Sequence, residues 1–188
     1  DGPVNLVRLM DIPGRVARDD LKFPAFTPGV PGMLQKKGAD MFKAIRKGDI
    51  LLHHPYQSFK PIIDFIQQAS ADPSVVAIKQ TVYRTGVDSE LMDALISATQ
   101  LGKEVTVVVE LLARFDEEAN INWAERLEAV GAQVVYGIVG FKTHAKLLLV
   151  TRRESGVRGA AVLRRYAHLS TGNYNSTTAR LYTDVGML

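Results

Sequence analysis

The feature that most restricts the fold is an alternation in the middle of the chain. Val75 to Val82 is apolar and β-branched, Leu91 to Ala98 has helical spacing, and Val105 to Leu112 is apolar again. Ile121 to Val130 is helical, and Ala132 to Tyr136 forms a third strand-like stretch. Strands joined through helices are parallel, with right-handed crossovers. Asp88 or Ser89 suits the first helix as a cap, while Gly102 and Gly131 suit the helix ends. Arg84 follows the first strand, Arg114 the second, and the segment leading to His144 the third, at intervals of 30 residues. The carboxyl edge of a parallel sheet is where ligands bind, so the three converge on a candidate site. Taken singly, either Arg reads equally well as a surface charge beside Asp88 or Asp116.

The third of these segments runs Gly140-Phe141-Lys142-Thr143-His144-Ala145-Lys146 into the apolar Leu147 to Val150. Residues at i and i+2 of a strand share a face, which places His144 beside the charge of Lys146. Further on, Tyr166-Ala167-His168-Leu169-Ser170-Thr171-Gly172-Asn173 carries a second His. Positions 144 and 168 are symmetric about Gly156, so a hairpin turning over 152–161 sets the two imidazoles opposite each other. The Gly172-Asn173 turn, read as the start of a short helix, offers donors for an anion. An unperturbed imidazole, with a pKa of about 6.5, is mostly neutral at pH 7, and neighbouring cations push it lower. A neutral imidazole among Arg and Lys has what phosphoryl transfer asks of a protein: a nucleophile, positioning and charge neutralisation. His168 then serves as acid, base or phosphate ligand.

The rest of the chain sets limits. With 188 residues, 46% hydrophobic and 23% charged, it suits one globular domain plus an extension. It has no Cys, which excludes disulfides and thiolate metal sites. No apolar run reaches membrane-spanning length. A net charge of +3 is too small for a dispersed nucleic-acid surface, so any polyanion site depends on local clustering. Residues 1–49 hold five of the eight Pro and read as an arm or linker with a short helix over Asp40 to Lys47. Asp49 to His53 reads as a strand and Phe59 to Ala69 as an amphipathic helix. His53 and His54 mark a strand end before Pro55 rather than a metal site, since no third ligand lies at a suitable spacing. The chain starts without Met and stops just after a motif, which suggests an excerpt of a larger protein.

Six segments carry a resemblance: Asp20-Leu21-Lys22-Phe23-Pro24, Leu52-His53-His54-Pro55-Tyr56, Ile78 to Arg84, Ala113 to Glu118, the His144 segment, and Ala179-Arg180-Leu181-Tyr182-Thr183-Asp184. In this order they resemble the catalytic core of the bacterial polyphosphate kinases of phospholipase-D-like type. The resemblance implies an α/β fold: a phospholipase-D-like domain over 50–188, the first of two in the parent, with a mixed sheet of parallel strand-helix units plus an antiparallel hairpin, flanked by helices. It implies reversible transfer of the terminal phosphate of ATP to inorganic polyphosphate through a phosphohistidine at His144, to which the reading of the residues above adds Lys146 and His168 in the catalytic group. Tyr182 matches a nucleotide-contacting position, and Asn173 joins Arg84 and Arg114 in binding phosphate. Arg84 and Arg114 match positions associated with Mg2+, which guanidinium can serve only through phosphate oxygens shared with the metal. ATP or ADP and polyphosphate are the implied partners, without nucleic acid, in a cytoplasmic, homo-oligomeric parent that is at most peripheral to a membrane. Other readings are a phospholipase-D-like phosphodiesterase or nuclease, and a phosphate-binding fragment inactive by itself. The diesterase pattern H-x-K-x4-D asks for Asp at 151, where this chain has Thr151.

Overall fold

The computed structural model describes residues 5–36, 38–84, 86, 89–111, 113, 117–137, 140–156 and 159–188. After short 3-10 turns and α1 (Ile12–Arg15), the elements are α2 (Met41–Ile45), β1 (Leu51–His54), α3 (Lys60–Ala71), β2 (Val75–Val82) and α4 (Glu90–Gln100). They continue with β3 (Glu104–Val109), α5 (Glu117–Ala129), β4 (Gln133–Val135), β5 (Lys146–Ser155), β6 (Ala161–Ser170) and β7 (Asp184–Met187). The strands form one mixed sheet ordered β1-β7-β6-β5-β2-β3-β4. β2, β3 and β4 are parallel, while β5 runs against β2, β6 against β5, and β7 against both β6 and β1.

The longer helices form because each buries one apolar stripe. On α3 the buried residues Ile62, Phe65, Ile66 and Ala69 repeat at three and four positions, and on α5 Asn120, Trp123, Ala124 and Leu127 do the same. Ser89 caps α4 by accepting from the Met92 amide at 3.4 Å. Gly102 and Gly131 end their helices with φ of +81° and +93°, a region that favours glycine. Ile78, Leu148 and Val150 of the central strands are fully buried against this layer. The short helix near residue 40 also joins the core, with Met41, Phe42 and Ala44 buried.

Two expectations are corrected. The strands β5 and β6 extend to Ser155 and Ala161, so the hairpin connection is shorter than 152–161 and Leu148, not His144, lies opposite His168. No helix begins at Gly172-Asn173: the next helical turn is the 3-10 segment Thr178–Arg180, where Asn175 Oδ1 accepts from the Thr177 and Thr178 amides. No helix among the described residues is long and apolar enough to cross a membrane.

At the far end of β5 from Lys146, Glu154 is nearly buried and accepts from Tyr166 Oη, Arg152 Nη1 at 3.0 Å and Arg164 Nε at 3.0 Å. Arg152 also binds Asp72 at 2.7 Å. Burial alone would raise both carboxyls, but the hydrogen bonds and neighbouring cations outweigh it and hold them below their usual range. Burial, with Glu154 beside it, pushes the Tyr166 phenol up to about 12. Depressed carboxyl pKa values give stability that is complete above the ordinary carboxyl range and lost as pH falls through the folded-state values. The raised phenol works in the other direction, losing its contribution as pH rises from its unfolded value, about 10, through its folded one. Glu154→Gln is expected to flatten the acid limb of the stability profile and to cost about 1.5–3 kcal/mol at neutral pH. Denaturant unfolding across pH measures this; an unchanged acid limb in the variant contradicts it.

Candidate functional site

The site lies where β2 and β3 end and β5 begins. Because β5 is antiparallel to β2, the segment entering β5 stands at the carboxyl edge of β2 and β3. Thr81 of β2 fastens this entry: its Oγ1 donates to Ala145 O at 2.7 Å and accepts from the Leu147 amide at 2.9 Å. His144 therefore sits two residues before the strand, exposed, while Lys146 opens β5 and is buried.

An aromatic ring brings the candidate groups together. The Tyr83 ring, just past β2, meets the His144 ring edge-on with centroids 4.8 Å apart. Lys146 Nζ lies 5.0 Å from the same centroid and Arg84 Cζ 5.3 Å. Both are cation–π distances. Lys146 Nζ also donates to His144 O at 2.6 Å, so the ammonium ties down the backbone of the imidazole it accompanies. The His144 pKa falls below its ordinary value, through burial first and then the charges of Lys146, Arg84 and Lys142. The Lys146 pKa is lowered as well, mainly by burial, with Asp184 opposing and Arg84 assisting. A lowered imidazole keeps a nitrogen lone pair free at neutral pH, beside cations able to bind an anionic partner.

Other predicted residues are placed differently. His168 is fully buried on β6, with Nδ1 3.0 Å from Tyr174 Oη, and lies beneath the edge where His144 stands. Burial and the neighbouring His54 push its pKa down to about 3, so it stays neutral. Its Nε2 faces Gly186, where an added Cβ would come within 2.7 Å. Asn173 Oδ1 is buried without a hydrogen-bond partner among the described residues. Tyr182 is 61% exposed and precedes β7 at the same edge, where Thr171 Oγ1 donates to Asp184 Oδ1 at 2.8 Å. Thr151 pairs with Ala77 and Arg165 well down β5, away from His144. Arg114 lies outside the described residues. No group of three or more His, Asp or Glu able to hold a metal ion occurs among the described residues.

Sequence reasoning missed three participants. Tyr83 stood inside a motif, but nothing in its spacing marks it as the shared contact. Glu110 carried a signal, as a carboxylate inside the apolar run Val105 to Leu112; it is only 6% exposed and its Oε2 accepts from the Thr143 amide at 2.8 Å. Asn120 is a polar residue on the apolar stripe of α5, and its Nδ2 donates to Tyr83 O at 2.8 Å and to Glu110 O at 2.9 Å.

Replacing Lys146 by Gln removes one of the charges that lower His144, and is expected to move the imidazole titration midpoint upward toward its ordinary value. An NMR titration of the His144 ring checks this, and a midpoint that stays put or falls contradicts it.

The model of the polyphosphate kinase C-terminal domain 1 matches residues 40–188 of the chain. A polyphosphate kinase of Burkholderia ambifaria strain MC40-6 is 66% identical over 189 aligned residues, covering 100% of this chain and 27% of the relative. The chain thus spans about a quarter of the length of that relative. The crystal structure of polyphosphate kinase from Porphyromonas gingivalis superposes with a TM-score of 0.77 at 35% identity, covering 98% of this chain and 30% of that one. A phospholipase D family member, Nuc from Salmonella typhimurium, shares the fold with a TM-score of 0.52 at 14% identity, covering 74% of this chain and 80% of that one. With the family model matching most of its length, the chain belongs to the polyphosphate kinase family, in the part that forms C-terminal domain 1.

Proposed function

We propose that this chain is the phosphoryl-carrying part of an ATP:polyphosphate phosphotransferase, with His144 as the nucleophile. The observation that carries the reading is the meeting of a lowered, exposed imidazole with Lys146 and Arg84 around the Tyr83 ring. In the forward direction an imidazole nitrogen attacks the terminal phosphorus of ATP. The bond from that phosphorus to the bridging oxygen breaks, and ADP leaves with the electron pair. A terminal oxygen of polyphosphate then attacks the same phosphorus, the P–N bond breaks, and neutral imidazole returns with the polymer one phosphate longer. Each step is reversible because the phosphoramidate is a high-energy carrier between two phosphoanhydrides.

The side chains supply positioning and charge. Lys146 and Arg84 offset charge on the transferring phosphoryl oxygens, and Arg84 can hold two such oxygens at once. Arg114 is assigned to the same clamp by its spacing and by the family resemblance. Tyr182, exposed at this edge, takes the nucleotide base, and the Asn173 amide takes phosphate. Arg84 and Arg114 would meet any Mg2+ brought by the nucleotide only through shared phosphate oxygens, where the ion would add charge neutralisation. His168 is buried and neutral, paired with Tyr174, and is not assigned a step in the transfer. A reaction that draws on ATP belongs in the cytoplasm.

Incubating the full-length protein that carries this chain with ATP radioactive in its terminal phosphate is expected to label His144, in a bond stable to base and labile to acid. Label on Ser, Thr or Asp sinks the assignment. His144→Ala is expected to abolish synthesis with its thermal midpoint unchanged, because an exposed ring contributes little packing. Arg84→Lys keeps the charge but loses the planar fork, and is expected to cost about 100-fold in activity without loss of stability. Full activity in the Lys variant removes Arg84 from the clamp.

A further inference from the structure

We infer that Glu110 and Asn120 are positioning residues that set where His144 stands; the catalytic consequence rests on the phosphotransfer reading, while the positioning rests on geometry. Glu110 is the first residue beyond β3, and its amide donates to Val82 O at 2.9 Å, carrying the β2–β3 pairing one step past the strand. Its side chain is buried, which a carboxylate accepts only when its oxygens are compensated. One compensation is the Thr143 amide, 2.8 Å from Oε2 and immediately before His144 in the chain. On the other side of His144, Ala145 O accepts from Thr81 Oγ1 at 2.7 Å. The nucleophile is thus bracketed: the peptide before it is held by β3 and the peptide after it by β2.

Asn120 completes the brace. Fully buried on α5, it donates from one nitrogen to Glu110 O and to Tyr83 O, so a single amide locks together the exits of β3 and β2. Tyr83 carries the ring against which His144, Lys146 and Arg84 gather, and Glu110 carries the carboxylate that holds the His144 segment. The placement of the Tyr83 and His144 rings is therefore tied, through backbone groups, to Asn120 and Glu110. What the His144 segment requires of Glu110 is an acceptor at the reach of a two-methylene side chain.

The test compares Glu110→Gln, Glu110→Asp and Glu110→Ala in the full-length protein. It follows kcat and KM for ATP, the thermal midpoint, and the NMR shift of the His144 ring, assigned by its loss in His144→Ala. Tyr83 displaces that shift through its ring current. Gln keeps the acceptor and its reach, so the displaced shift is expected to persist and the rate to stay within about 3-fold of the native protein. Asp keeps the charge but falls one methylene short. Asp and Ala are expected to lose the displaced shift and about 10–100-fold in kcat, with KM for ATP little changed, because a misplaced nucleophile binds substrate but attacks poorly. Asp behaving as native while Gln behaves as Ala overturns the inference, since charge rather than reach would then be the requirement. A fall in kcat with the His144 shift unmoved overturns it too. If Ala does not fold, the Gln and Asp pair decides the question. Loss of the shift in Asp, in a protein that never forms phosphohistidine, upholds the positioning and removes the phosphotransfer reading.

Discussion

The site depends on the direction of one strand. In a sheet built only of strand-helix units, every strand presents its last residue at the ligand-binding edge. Here β5 enters between β2 and β6 and runs against β2, so it presents its beginning. A segment that starts a strand is anchored on only one side by its own ladder. Thr81, Glu110 and the Lys146 ammonium supply the missing anchors, and without them the imidazole would ride on a free loop. The antiparallel insertion thus creates both the opportunity for a nucleophile at this edge and the need for a brace around it.

Electrostatics and packing then favour the same state. Burial and three cations disfavour imidazolium at His144, and the Tyr83 ring lies within cation–π distance of two of those cations. Asp184, which raises the Lys146 pKa, limits how far the ammonium is discharged. Lys146, Arg84 and Lys142 thus gather positive charge around the imidazole, an arrangement that suits a polyanion.

Much of the fold was legible because it repeats. Val75 to Val82 is a strand end to end, and the helices following it fall where apolar spacing and glycine stops put them. The hairpin was also legible, but its register was not: symmetry about Gly156 ignored how far β5 and β6 run before they turn, and it misplaced the partner of His168 by four residues, at His144 instead of Leu148. At the site, charged and imidazole side chains were visible because their chemistry is unusual. The brace was harder to see, since Asn120 and Glu110 act through contacts to backbone groups 10 and 33 residues away, and no local pattern encodes such partners. A polar residue on an apolar helix stripe and a carboxylate in an apolar strand were the available clues, and each reads at first as a flaw in the pattern.

The ion-pair cluster around Glu154 stands at the other end of the strand that begins with Lys146. Eight residues of extended chain separate them, about 26 Å at the usual rise. Energetic effects at that range add rather than interact. Substitutions that erode stability to reshape the cationic edge can therefore be compensated at Arg152, Glu154 or Arg164 without disturbing the imidazole. One end of the strand carries the chemistry and the other carries stability, so thermal tolerance can be retuned without renegotiating the chemistry.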